Sequence, residues 1–130
     1  MQPSLTSDQL NATVRADAIP TRMDLSAGQR LHLPEEVLHD VEAFAESLDR
    51  SVGWCLWMAW CTAVVEAGDA ASLAHEEVPE GERLATEVVM PLGTWRHVTE
   101  EAERLDRSKS WLLCRAWLAA RDRMHGVHGR

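Results

Sequence analysis

The chain has 130 residues, with 13 lysines and arginines against 21 aspartates and glutamates, for a formal net charge of −8. That length suits one compact domain and argues against a multidomain enzyme, while the acidity argues against non-specific attachment to nucleic acid or an anionic membrane, both polyanions. At 45% apolar the chain has material for a core and too much for wholesale disorder.

Residues 1–28 are polar, hold two of the five prolines and show no sustained period, so a disordered arm is expected. No charged start followed by an apolar core opens the chain, and no secretory leader is expected. Gln29–Pro34 alternates, which predicts a strand with Leu31 and Leu33 on one face. Leu38, Val41, Ala45 and Leu48 then recur at helical spacing, with Glu35 and Glu36 in the first turn where the helix dipole favours them. Ser51 has the position of an N-cap for a second helix that buries Leu56, Ala59, Trp60 and Ala63. The most apolar stretch, Val52 to Ala67, is shorter than a bilayer span, so a buried helix and no membrane segment are expected. Residues 68–85 carry five acids against Arg83 and read as an acidic linker.

The same order then returns. Thr86–Pro91 predicts a strand with Val88 and Met90 inward. Trp95, Val98, Ala102 and Leu105 predict a helix. Ser108 predicts a cap, and Leu113, Ala116, Trp117 and Ala120 predict the apolar face of a second helix. Laid one over the other, 29–67 falls on 86–124 without a gap, with 13 of 39 positions identical. Pro34 meets Pro91, the block Leu48-Asp49-Arg50-Ser51 meets Leu105-Asp106-Arg107-Ser108, and Trp54 and Trp60 meet Trp111 and Trp117. Residues 125–130 remain as a tail.

A strand and two helices in about 40 residues cannot bury an adequate core, and a lone strand leaves its backbone unpaired. Both problems vanish if the two units pair. The expected fold is therefore mainly α with a two-stranded antiparallel ribbon over four helices, a pseudo-dimer in one chain. The alternative is pairing of each unit with a unit of another chain.

Strand, proline, helix, turn, helix with an obligate two-fold resembles the ribbon-helix-helix family of the Arc/MetJ type, over 29–67 and 86–124, more than half of the chain. Glu100–Arg121 is also similar to small bacterial nucleoid-associated members of that family, some of which respond to a cyclic dinucleotide. The resemblance implies a cytoplasmic DNA-binding transcriptional regulator or nucleoid-associated protein. In the family the ribbon enters the major groove and its outward side chains meet base edges. Here the outward positions are Gly28, Arg30 and His32, and Ala85, Glu87 and Val89, which makes Arg30, His32, Glu87 and Val89 the base-reading candidates. The family's two-fold would set Arg30 opposite Glu87. Glu87 could accept from cytosine and Val89 could touch a thymine methyl. The bland alternative is a plain ribbon with one cross-strand ion pair. The resemblance also implies phosphate contacts at the start of each second helix, where Arg50, Ser51, Arg107, Ser108 and Lys109 stand. Here the bland alternative is a turn and cap shared by descent.

Charge is uneven, at −5 for 29–67 and +1 for 86–124. The unit 1 second helix also has a second apolar row, Trp54, Trp57, Met58, Cys61 and Val65. Either it anchors a protein partner or a second copy, or this helix is the central one and is covered on all sides. A protein-interaction module that has lost base reading is thus a competing function, as is a nucleotide-effector binder. Three cysteines are too few for a disulfide framework and read as reduced thiols of a cytoplasmic protein. His125 and His128 lack further ligands, and no phosphate loop, nucleophile–base pairing or acid dyad is present. No enzyme, cofactor or metal is expected.

Overall fold

The alternation of Gln29–Pro34 forms strand β1 (Gln29–Pro34), which pairs antiparallel with β2 (Arg83–Val88). The computed structural model describes residues 24–66, 68–75 and 77–128, so residues 1–23 of the expected arm lie outside it. Gln29 faces Val88, Arg30 faces Glu87, Leu31 faces Thr86 and Pro34 faces Arg83. Leu31, Leu33, Val88 and Met90 are buried beneath the ribbon, whereas Arg30, His32, Ala85 and Glu87 are exposed above it.

The second strand differs from the expected Thr86–Pro91. Pairing centred on Arg30 and Glu87 carries the ladder back to Arg83, and the Glu35 amide extends it by donating to the Glu82 carbonyl at 2.9 Å. The last residues of the expected linker are therefore strand, and Ala71–His75 within it forms a short 3-10 helix. At the other end Val89 and Met90 leave the ladder, because residues 26–28 put three residues against these two. The Ser26 amide still donates to Met90 O at 2.8 Å, the Met90 amide turns to Ser26 Oγ at 3.3 Å, and Leu25 bridges Pro91. Residues 24–26, assigned to the arm by composition, are thereby held against the second unit.

A proline stands directly before the first helix of each unit, at φ −53° for Pro34, which ends β1, and −56° for Pro91, three residues beyond β2. The helices are α1 (Glu35–Leu48), α2 (Val52–Trp60, continued by a π turn over Cys61–Val65), α3 (Leu92–Leu105) and α4 (Lys109–His128). Helix α4 runs past the expected end of its unit at Met124. Helices α1 and α3 close alike. Asp49 and Asp106 take left-handed φ of 57° and 58°, and the following amides of Arg50 and Arg107 donate to Ala45 O and Ala102 O, both at 2.9 Å. This is a Schellman end with aspartate where glycine is usual. A side chain at that φ carries a steric cost that glycine lacks. Asp49→Gly and Asp106→Gly are each expected to stabilise the fold by about 1 kcal/mol, read as a higher urea midpoint at unchanged slope.

Helices α2 and α4 pack together in the centre, and the buried Trp60 and Trp117 reach across to the other unit's first helix. Trp117 Nε1 donates to Asp40 Oδ2 at 2.8 Å, and Trp60 Nε1 donates to His97 Nδ1 at 3.0 Å. In the overlay of the two units His97 falls on Asp40 just as Trp117 falls on Trp60, so the two bonds occupy corresponding places. Each indole N–H is thus satisfied in the interior, where an unpaired donor would be costly.

The more deeply covered second helix is α4. Six consecutive residues, Leu112 to Trp117, are buried, including Arg115 at 9% exposure. The segment between the units lies over this helix, and Glu77 O accepts from Arg115 Nη1 at 3.0 Å. Helix α2 buries Cys55, Leu56, Ala59 and Trp60 but leaves Trp54, Trp57, Met58 and Cys61 half-buried. Of the two alternatives for α2, the more apolar of the two helices, cover on all sides is therefore not what is found. Cover comes from a segment remote in sequence, and that segment crosses α4.

Candidate nucleic-acid interface

The outer face of the ribbon presents Gly28, Arg30, His32, Arg83, Ala85, Glu87 and Val89 to solvent. Arg30 and Glu87 are register partners. Among the described residues no ion pair joins them. Glu87 Oε1 instead turns along the ribbon towards Gly28, 3.3 Å from where a Cβ would stand on that glycine. The cross-strand ion pair of the bland alternative is therefore absent from this arrangement. Arg83 is a further outward cation that composition had assigned to the linker. Only the register across from Pro34 places it on the ribbon.

The second helices begin against the strands. Helix α4 is tied to β1 by the His32 amide, which donates to Ser110 Oγ at 2.9 Å. At the corresponding junction Gly53 of α2 lies so close to Val89 that a Cβ on it would stand 2.4 Å from the Val89 carbonyl oxygen. Both helix starts are capped alike. Ser51 Oγ accepts from the Trp54 amide and Ser108 Oγ from the Trp111 amide, each at 3.0 Å. The Arg50 guanidinium lies 5.0 Å from the Trp54 ring centre and the Arg107 guanidinium 4.4 Å from that of Trp111. Lys109 stands 5.9 Å from the Trp95 ring centre. Tryptophan faces attract cations, so these side chains have a preferred place beside the capped turns. The repeated Arg-Ser-x-x-Trp spacing, one helical turn from arginine to ring, was the sequence signal for this pairing. Unit 2 carries two such cations, because Lys109 and Trp95 stand where unit 1 has Val52 and Leu38.

The apolar row on α2 lies elsewhere. Trp54, Trp57, Met58 and Cys61 are half-buried against the core and Val65 is 57% exposed. Leu25 and Val89 are the other large apolar side chains exposed among the described residues. Beside the π turn a cavity of about 430 Å³ is lined by Val64, Val65, Asp69, His97, Glu101 and Arg104, among others. The Ala71 amide holds the Asp69 carboxyl below its ordinary range, and Arg104 does the same for Glu101. All three cysteines are free, and burial pushes the Cys55 and Cys114 thiols up to about 11 and raises that of Cys61. None has the lowered thiol of an activated nucleophile.

Among the described residues no helix is long and apolar enough to cross a membrane. The chain matches no family model, no curated protein and no solved structure.

Proposed function

We propose that the chain is a tandem ribbon-helix-helix pseudo-dimer that binds double-stranded DNA in the cytoplasm, as a transcriptional regulator or nucleoid-associated protein. The ribbon enters the major groove, and the starts of α2 and α4 meet phosphates on either side. The observation that carries this reading is the ladder itself. Leu31 faces Thr86 and Gln29 faces Val88; replacing each residue by its counterpart in the other unit exchanges the two pairs, so the pairing maps onto itself about Arg30 and Glu87. The reciprocal tryptophan bonds, the paired serine caps and the paired aspartate helix ends repeat under the same exchange. The result is an exposed two-stranded ribbon with an arginine–tryptophan pair at the start of each second helix. A major groove admits a ribbon of this kind. The negative charge is concentrated away from unit 2, which leaves a one-sided contact with a polyanion electrostatically acceptable.

A titration of genomic DNA fragments at several salt concentrations tests the proposal. Binding should weaken steeply with salt, and Arg107→Gln and Lys109→Gln should each lower the salt slope by about 1. Absence of binding at low salt would sink the reading. Binding that ignores Arg30→Ala but responds to Lys109→Gln would move the site from the ribbon to the helix starts.

A second reading is favoured by the open row on α2, because the corresponding side of α4 is covered by the chain's own inter-unit segment. In that reading Trp57, Met58, Cys61 and Val65 hold a protein partner or a second copy. Light scattering across concentration, with Val65→Asp as the control, separates self-association from a monomeric pseudo-dimer.

A further inference from the structure

We infer that Arg30 and Glu87 together read a single G·C base pair at the centre of the DNA site, guanine on the arginine side and cytosine on the glutamate side. The protein then binds its site with one polarity. This inference rests on the DNA-binding reading above.

Arg30 and Glu87 face each other in the ladder, and the pairing maps onto itself about them, so they occupy the centre of the outer face. Directly opposed Cα atoms in an antiparallel pair stand about 4.5–5.5 Å apart. Two outward side chains there reach adjacent atoms of one base pair. In the major groove guanine presents O6 and N7, both acceptors, while its partner cytosine presents the N4 amino group, a donor. Arginine only donates and an ionised glutamate only accepts. Arginine on guanine and glutamate on cytosine therefore satisfies both edges of one pair. The reversed pair sets donor against donor and acceptor against acceptor.

A ribbon made from two identical strands cannot do this. It places the same residue on both sides of its axis, whereas the two edges of a G·C pair are complementary rather than alike. Fusing two diverged units in one chain removes that restriction. Both side chains are exposed, and neither is tied up in an ion pair with the other. The next outward positions add to the polarity, since His32 corresponds to Val89, one polar and the other apolar. A two-fold-symmetric site would meet unlike chemistry at both.

The test is selection from a double-stranded DNA library with a randomised core, run with the full chain and with the charge-conserving exchange R30E/E87R. The natural chain should enrich a non-palindromic site with G·C at its centre, and reversing that pair to C·G should weaken binding roughly 10- to 100-fold. The exchanged variant should keep the flanking preference and invert the centre to C·G. Salt-sensitive binding with no preference at the centre, a palindromic site, or an exchanged variant that still selects G·C would overturn the inference while leaving DNA binding standing. No retention of any duplex by the natural chain at low salt would overturn the DNA-binding reading, and this inference with it. Circular dichroism of the exchanged variant should match the natural chain, because neither side chain enters the core.

Discussion

Trp117→Ala is expected to remove about 4 kcal/mol of stability, among the largest single losses in the molecule. Its indole is fully buried, meets Phe44 edge-on at 5.4 Å between ring centres, and donates to Asp40 Oδ2 at 2.8 Å. Truncation leaves a cavity between α4 and α1 and strips Asp40 of one of two partners, the other being Arg121 at 3.1 Å. Urea unfolding followed by far-ultraviolet circular dichroism measures the loss, and a cost below about 1 kcal/mol would contradict the packing described. The bond between units is isolated by a cycle of Trp117→Phe with Asp40→Ala, for which a coupling of about 1 kcal/mol is expected. Trp60→Ala should behave like Trp117→Ala, because Trp60 is equally buried and bonded to His97. If the units folded independently, the coupling between Trp117 and Asp40 would not exist.

Gly53→Ala is the second large effect, with an expected loss of about 3 kcal/mol despite alanine's better helix propensity. A Cβ there would stand 2.4 Å from the Val89 carbonyl oxygen and 2.9 Å from its amide nitrogen. Both are backbone atoms of the chain leaving the ribbon, so no side-chain rotation relieves the clash. Either α2 or the end of β2 must move, and the Arg50 and Ser51 turn moves with α2. The corresponding residue on α4 gives the contrast. Ser110 carries a side chain that accepts from the His32 amide at 2.9 Å, so Ser110→Ala loses one hydrogen bond, about 1 kcal/mol. Comparable losses from both substitutions in thermal unfolding would show that the α2 junction is looser than its geometry.

Much of the fold is legible in the sequence. Alternation in Gln29–Pro34 placed Leu31 and Leu33 inward, and the repeated Leu-Asp-Arg-Ser block marked where one helix ends and the next is capped. These are properties of a few consecutive residues, set by strand and helix periods and by the hydrogen bonds a helix end lacks. The inward face of α1 was read only in part, since Val37 and Phe44 are buried beside the expected Leu38, Val41 and Ala45. The base-reading candidates were found through the outward parity of the strands. Arg83 was missed, because its place on the ribbon depends on what β1 pairs with.

The sequence by itself determined that two similar strand–helix–helix units follow one another, which residues of each strand face inward, and that unit 1 holds most of the negative charge. Only the tertiary structure decided that β2 begins at Arg83, that Arg30 and Glu87, opposite each other as the resemblance implied, form no ion pair, and that Trp60 and Trp117 bond across the units. It also decided that the inter-unit segment covers α4, burying Arg115, and leaves the more apolar α2 half-open. The physical reason is the range of the interactions. Backbone periodicity and capping are settled within a turn or two, whereas register and burial depend on which distant segment arrives to pair with a strand or cover a helix.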